Sequence, residues 1–359
     1  MAVTIRQVAE AANVSVATVS RALSNSDHPM SVETRQRIVE LAQKMGYHPN
    51  QVARSLRTER SPIIGVICDD ITSAFTTAIV RGIQDRLKVD GYFCIVINTD
   101  WNPQNEQRAI QDLAGHSIEG IIFTETTHQF ANQELNLEDR KYVFVHRLFP
   151  KDYPHSVVPD EIYGGRLAVD HLIQLGHRRI GHIKGSPAYY SSEDRFQAYR
   201  AALQDAGIPF DRSLVEIGNY DVENGYKAAQ KLLDLPEPPT AIFAGNDLTA
   251  LGTIYAAQDK GLRVPDDLAI VGYDDQQIAS LARPTITTVT LPCFQMGQAS
   301  AELLISLLTK GEVAQDEIKV KGELIVRESC GSGQTARSTI SKPSSRLDRL
   351  EAIREQQKR

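Results

Sequence analysis

Long apolar runs are missing from this chain of 359 residues. No stretch approaches the eighteen or so apolar residues of a membrane span, so no membrane association is expected. The opening residues Met1-Ala2-Val3-Thr4 carry no charged-then-apolar leader, and a bacterial cytoplasmic location is expected. Cysteine is scarce. Cys68, Cys94, Cys293 and Cys330 show neither C-x-x-C pairing nor zinc spacing, and Cys68 and Cys94 fall in apolar strand-like runs. Buried thiols in a reducing compartment are expected. Signatures of catalysis are also lacking. There is no P-loop and no G-x-G-x-x-G, and Gly185-Ser186-Pro187 does not form a nucleophile elbow. His177 and His182 stand five apart, the wrong spacing for two metal ligands on one helical face. The chain is expected to bind rather than react, without metal or cofactor.

Charge is present but unevenly placed. The net charge is −6, yet residues 1–60 carry 8 basic and 5 acidic side chains and residues 331–359 carry 7 and 3. The remainder carries 24 basic and 37 acidic. A basic head on an acidic body lets the head approach phosphates while the body is repelled.

The head has helical periodicity. Ile5, Val8, Ala9 and Ala12 follow the i, i+3, i+4, i+7 spacing of a helix with one buried face. Asn13-Val14-Ser15 interrupts it: Asn tolerates the left-handed conformation of a tight turn, and Ser15 suits the cap of a second helix. In that helix Val19, Ala22 and Leu23 face inward, leaving Val16, Ala17, Thr18, Ser20 and Arg21 on or near the outer side. A third helix is expected from an N-cap at Ser31 to Met45, stopped by Gly46. Two short helices joined this way form a helix-turn-helix, whose second member enters the major groove. The same periodicity also fits a small helical bundle without nucleic acid.

The next segment, Tyr47 to Arg57, separates these readings. Pro49 suits the first turn of a helix, but only about seven residues follow, too few to persist in water alone. Val52, Ala53 and Leu56 form an apolar edge flanked by Arg54, Arg57 and Arg60. An apolar side chain among arginines can wedge between base steps from the minor groove. Here the sequence resembles the lac repressor/galactose repressor family of bacterial transcription regulators. The resemblance rests on Thr4-Ile5, Val8-Ala9, Val14-Ser15, Ala17-Thr18-Val19-Ser20-Arg21, Gly46-Tyr47, Pro49-Asn50, Ala53-Arg54 and Leu56, and spans residues 3–328. It implies DNA contacts at Thr4, Ser15, Val16, Ala17, Thr18, Ser20, Arg21, Asn25, Tyr47, Asn50, Val52, Ala53, Leu56 and Arg57.

From Ser61 to Arg327 strand-like and helix-like runs alternate, as in parallel sheets covered on both faces. The pattern repeats. A strand opens at Ile63-Ile64-Gly65-Val66-Ile67 and again at Arg179-Ile180-Gly181-His182-Ile183, and each following helix ends in a Leu-x-x-x-Gly turn. Two α/β lobes of periplasmic-binding-protein type are expected behind an all-α head. The division is 1–48 for the head, 49–60 for the hinge helix and linker, and 61–330 for the two-lobe body. The N-lobe takes about 61–160 plus 291–321, and the C-lobe about 162–289 plus 323–330. By resemblance the chain crosses between lobes near Pro159–Tyr163, Val289–Pro292 and Val320–Glu323. Residues 331–359 read as a flexible basic tail, since Leu347, Leu350 and Ile353 supply barely one heptad.

Ligands of α/β sheets bind at the C-terminal ends of the strands. Polar residues predicted there suit a hydroxyl-rich guest: Arg195 with a two-pronged fork, Asn246, Asp274, and Tyr220 as a stacking surface. By resemblance Arg195, Asn246 and Asp274 occupy effector positions, with Tyr220 and Cys293 lining the pocket. Each also has an ordinary structural reading as a cap or ion pair. The family often has Asn-Pro-Phe-Phe where this chain has Thr72-Ser73-Ala74-Phe75, and Asp-Arg where it has His146-Arg147. Ser73, Phe75, His146 and Arg147 complete the expected effector set. An anionic sugar phosphate stays open beside a neutral sugar, because His146, Arg147 and Arg195 offer positive charge.

The function expected is a repressor of carbohydrate-utilisation genes. A homodimer would grip a pseudo-palindromic double-stranded operator, with a central CpG implied by the resemblance, under control of a sugar or sugar-phosphate effector. Alternatives are control by a phosphocarrier protein or a non-sugar effector, a sugar-receptor module with an incidental head, and an enzyme on the same scaffold.

Overall fold

The structure, a computed structural model, describes residues 3–23, 30–47, 61–115, 118–126, 135, 137, 140–147, 154–311, 313 and 317–331. Asn25, the hinge residues Asn50, Val52, Ala53, Leu56 and Arg57, and the tail beyond 331 lie outside these.

The head is three helices: α1 (Ile5–Ala12), α2 (Val16–Ala22) and α3 (Val32–Lys44). Thr4 caps α1 in a capping box with Gln7, Ser15 caps α2 and Ser31 caps α3. Each cap satisfies a backbone N–H that the first turn leaves without a partner. Asn13 adopts φ 52° at the end of α1, and Gly46 adopts φ 69° just past α3, a conformation that a Cβ disfavours. Val8, Ala9, Ala12, Val19, Ala22, Ile38 and Ala42 form the buried centre. Leu23, expected inside, is only partly buried but packs against it.

In the body, the first six-stranded sheet contains β1 (Ile63–Cys68), β2 (Phe93–Asn98), β3 (Gly120–Thr124), β4 (Lys141–Val145), β5 (Ser156–Pro159) and β11 (Glu317–Val320). The second contains β6 (Ile180–Lys184), β7 (Val215–Ile217), β8 (Ala241–Ala244), β9 (Ala269–Asp274), β10 (Thr287–Thr290) and β12 (Leu324–Ile325). Their orders are β11-β5-β4-β3-β1-β2 and β12-β10-β9-β8-β6-β7, so the two sheets repeat one topology. All described pairings are parallel except β10 with β12. The central strands β1, β3 and β8 are apolar and buried apart from Ile63 at the start of β1, as parallel strands covered on both faces must be.

Helices α4 (Ala74–Val89), α5 (Pro103–Gly115) and α11 (Cys293–Lys310) pack with the first sheet. Helices α6 (Glu161–Gln174), α7 (Tyr190–Asp205), α8 (Val222–Leu233) and α9 (Asp247–Asp259) pack with the second, and the short α10 (Gln277–Leu281) lies against α9. The chain passes between sheets at Asp160, again at 291–292 where α11 returns to the first sheet, and between β11 and β12 at 321–323. Helix α6 begins at Glu161, where the Asp160 side chain accepts the Tyr163 amide as a cap. Strand β9 runs on to Asp274 through its pairing with β10. Among the described residues no helix is long and apolar enough to cross a membrane.

Candidate ligand cleft and DNA-facing head

The C-terminal strand ends of both sheets border one cavity of about 250 Å³, lined by Phe75, Thr126, His146, Tyr189, Ser191, Arg195, Asn219, Tyr220, Asn246, Leu248, Asp274, Gln276 and Leu291. Six of the nine residues expected to meet an effector are among them: Phe75, His146, Arg195, Tyr220, Asn246 and Asp274. The lining comes from both lobes. Phe75, Thr126 and His146 belong to the first sheet and its helices, and most of the rest to the second.

Three expected residues are elsewhere. Ser73 caps α4, its Oγ accepting the Phe75 amide at 3.3 Å. Cys293 is buried at the start of α11, where desolvation pushes its thiol up, and its amide donates to Leu291 O at 2.8 Å. Arg147 is buried behind the cavity wall, paired with Glu106 and, through Nε at 3.0 Å, with Glu125. Arg147 was expected in the pocket from the family resemblance at His146-Arg147; here its guanidinium turns to the carboxylates of Glu106 and Glu125 instead.

Tyr220 forms one wall. Its ring rests on Gly185 and Gly245, the residues that follow β6 and β8; a Cβ there would lie 2.2 Å and 2.9 Å from it. Tyr189 stacks on it with centroids 5.7 Å apart, and the Tyr220 hydroxyl lies 3.2 Å from Ser191 Oγ. Asn246 does two things at once. Its Oδ1 accepts the Thr249 amide at 2.9 Å as the cap of α9, and its Nδ2 donates to Tyr220 O at 3.0 Å. Four lining residues hold left-handed backbone: His146 (φ 58°), Asn219 (φ 48°), Tyr220 (φ 66°) and Asp274 (φ 98°). For non-glycine residues this stores about 1–3 kcal/mol each, and such strain gathers at functional sites.

The cationic side chains that left a sugar phosphate open are engaged within the protein. Arg195 does not present a free fork: Glu161 accepts from its Nε at 2.7 Å and its Nη2 at 2.9 Å, and Gly245 O accepts from Nη1 at 2.6 Å. Asp274 Oδ1 lies 3.5 Å from Nη2. The His146 ring donates or accepts at Glu125 O through Nδ1 at 3.1 Å, and because a carbonyl only accepts, Nδ1 carries the proton. Burial lowers the His146 pKa and so favours its neutral form. Burial likewise pushes the Asp274 carboxyl up to about 6, against the pull of Arg195. Gln276 is held by two contacts, its amide on Asp247 Oδ2 at 2.7 Å and its Nε2 on Asp274 Oδ2 at 3.2 Å.

Sequence reasoning missed Thr126, Tyr189, Ser191, Asn219, Leu248, Gln276 and Leu291. The strand-end rule would have reached Thr126 and Asn219, each two residues past a strand. Glu161 was missed as well, since nothing local marks it as Arg195's partner. His182, read as structural, is buried and stacked 4.7 Å from Phe243 with Nδ1 on Phe243 O at 2.9 Å. Among the described residues no group of three or more His, Cys, Asp or Glu is placed to hold a metal ion.

On the head, Ser15 Oγ accepts the Thr18 amide at 3.0 Å, and Val16, Ala17 and Arg21 are exposed on α2 while Thr18 and Ser20 are partly buried. Val16 is 41% exposed, an apolar side chain left at the start of the second helix of the pair. Thr4 is exposed, and Tyr47 packs partly against the head's core.

A helix-turn-helix head followed by a two-lobe α/β body with a cleft at its strand ends defines a class: DNA-binding regulators built on a ligand-binding scaffold. Residues 4–50 match the model for bacterial regulatory proteins of the lacI family, and residues 169–330 match the periplasmic binding protein-like domain. Catabolite control protein A of Priestia megaterium is 34% identical over 334 residues, 92% of this chain and 99% of that protein. The structure of a transcriptional regulator CelR–cellobiose complex is 30% identical with a TM-score of 0.64, covering 91% of this chain and 99% of that one. The lac repressor dimer bound to operator and the anti-inducer ONPF superposes with a TM-score of 0.74 at 26% identity, covering 92% and 99%. The chain belongs to the lacI family of bacterial transcriptional regulators, and its relatives are regulators rather than enzymes.

Proposed function

We propose that this protein is a sequence-specific repressor of carbohydrate-utilisation genes, controlled by an uncharged, hydroxyl-bearing small molecule bound between its lobes. The observation that carries the reading is the cleft: polar residues from both lobes converge on one small cavity, and the arginine among its described lining residues, Arg195, is already paired with Glu161. Hydroxyls match the acceptors Asp274 and His146 and the remaining donors of Asn246 and Gln276. A phosphate would meet Asp274 with no uncompensated cation opposite it. The CelR relative, whose structure holds cellobiose, supports a sugar as guest.

DNA binding is assigned to residues 1–48 and control to the 49–60 hinge, with 61–330 as the two-lobe body and 331–359 as a tail. Two copies place their α2 helices in successive major grooves of a pseudo-palindromic operator, as the dimeric lac repressor relative bound to operator suggests. Val16 and Ala17 offer apolar contact to thymine methyls and Arg21 a fork to guanine. Leu56 from each copy, which lies outside the described residues, wedges the central step. A guest that favours one lobe arrangement changes the hinge spacing and so the affinity for the operator.

The test is a binding selection on genomic fragments with full-length protein, then a thermal-shift screen of sugars, sugar phosphates and nucleobases, then operator titration with the best hit. A preferred palindromic fragment whose affinity moves with a neutral sugar is expected. No fragment preferred over random DNA would refute the regulator's operator role, and response to sugar phosphates alone would refute the neutral guest.

A further inference from the structure

Arg195 borders the cleft yet has little to give a guest. It carries five N–H donors. Four have acceptors inside the protein: two on Glu161, one on Gly245 O and the longer one on Asp274. The guanidinium also lies 3.5 Å from the centroid of the Tyr273 ring, which fixes its plane. Glu161 is 2% exposed and reaches Arg195 from the first turn of α6, one residue past the first crossing between sheets. A buried carboxylate of this kind is stable only with a partner held in good geometry, and here both its oxygens are engaged by the same guanidinium.

We propose that Glu161 is a specificity-determining residue: by holding Arg195 in an internal ion pair, it makes the cleft accept uncharged hydroxyl-bearing guests and refuse phosphorylated or carboxylate ones. This rests on the effector-binding reading of the cleft given above. The surroundings agree. Arg147 is taken by Glu106 and Glu125, and Lys184 by Glu193 at 3.2 Å, so these cations among the described residues are each matched by a carboxylate. Asp274 adds a carboxylate to the lining itself. An anion entering this site leaves water for a pocket without net positive charge, which is how a binding site rejects a near-identical competitor. Replacing Glu161 by glutamine keeps one acceptor but removes the countercharge and leaves one of the two donors without its carboxylate oxygen, so Arg195 gains a charge-assisted donor to offer a phosphate.

The experiment is calorimetric titration of full-length wild-type protein, Glu161→Gln, Glu161→Asp and the double variant Glu161→Gln/Arg195→Gln with inorganic phosphate, ribose and ribose 5-phosphate near neutral pH. Glu161→Gln is expected to bind both phosphate probes about tenfold or more tightly than wild type, as one recovered charged contact implies. The double variant is expected to lose that gain. Should Glu161→Gln not fold, Glu161→Asp, whose carboxylate is withdrawn by one methylene, is expected to show a smaller gain in the same direction. Equal phosphate affinity in wild type and the folded single variant overturns the proposal, as does a gain that survives loss of Arg195. Operator titration on the same preparations separates the two readings. Tighter phosphate binding with no effect of any guest on operator affinity keeps the charge filter and removes effector control; a sugar response without the phosphate gain does the reverse.

Discussion

Tyr220 rests directly on the backbone of Gly185, so closely that a Cβ built there would lie 2.2 Å from its ring. The glycine is what lets the aromatic wall of the cleft lie flat across the end of β6. Gly185→Ala should displace the ring, with overpacking that costs about 1–3 kcal/mol. Urea unfolding should show that loss, and titration should show weakened binding of whichever sugar the wild type prefers. A variant with unchanged midpoint and unchanged sugar affinity would show that the ring does not need this seat.

Sugar binding should depend on pH through Asp274. Burial raises its carboxyl from the usual 3.8 to about 6, so the folded protein holds a proton that the unfolded chain releases across that window. The group's contribution to stability is therefore complete below about 3.8 and is lost as pH rises through about 6. A hydroxyl donating to the ionised carboxylate has the opposite preference, so affinity should rise from pH 5 to pH 7. Calorimetry across that range should give a slope that Asp274→Asn abolishes; an identical slope in the variant would remove Asp274 from the contact.

The Ser15 cap ties the turn to α2. Its Oγ accepts the Thr18 amide and also lies 2.8 Å from Thr18 Oγ1. Ser15→Ala should cost about 0.5–2 kcal/mol of local stability. Amide exchange on the full-length protein should speed up at Thr18 and through α2, while the body's amides stay as they are. Unchanged protection at Thr18 would mean that the cap is redundant.

Substituting Val16 and Ala17 should change which operator half-site is preferred, because both are exposed at the start of α2. A selection from random half-sites reads this out. An unaltered preference, with affinity retained, would place base readout on other residues.

Local chemistry was legible from residue order. Asn13, Ser15, Ser31 and Gly46 act where they were expected, since capping and left-handed turns depend on a few neighbouring residues. The repeated strand–helix pattern likewise yields two sheets of one topology. Strand ends led correctly to Arg195, Asn246 and Asp274 at the cavity. Arg147, expected in the pocket by resemblance, is paired with Glu106 and Glu125 instead, because the side its guanidinium takes is set by carboxylates distant in sequence and not by its neighbour His146.

Residue order alone carries the kind of molecule: a capped helical head, an acidic body of repeated α/β units, and polar groups at the strand ends. Only the tertiary structure decided the charge that a guest would meet. Glu161 and Arg195 are 34 residues apart and belong to different helices, and they meet because α6 and α7 pack together on one sheet. Periodicity reports which way a side chain faces, whereas neutralisation depends on which distant side chain arrives beside it.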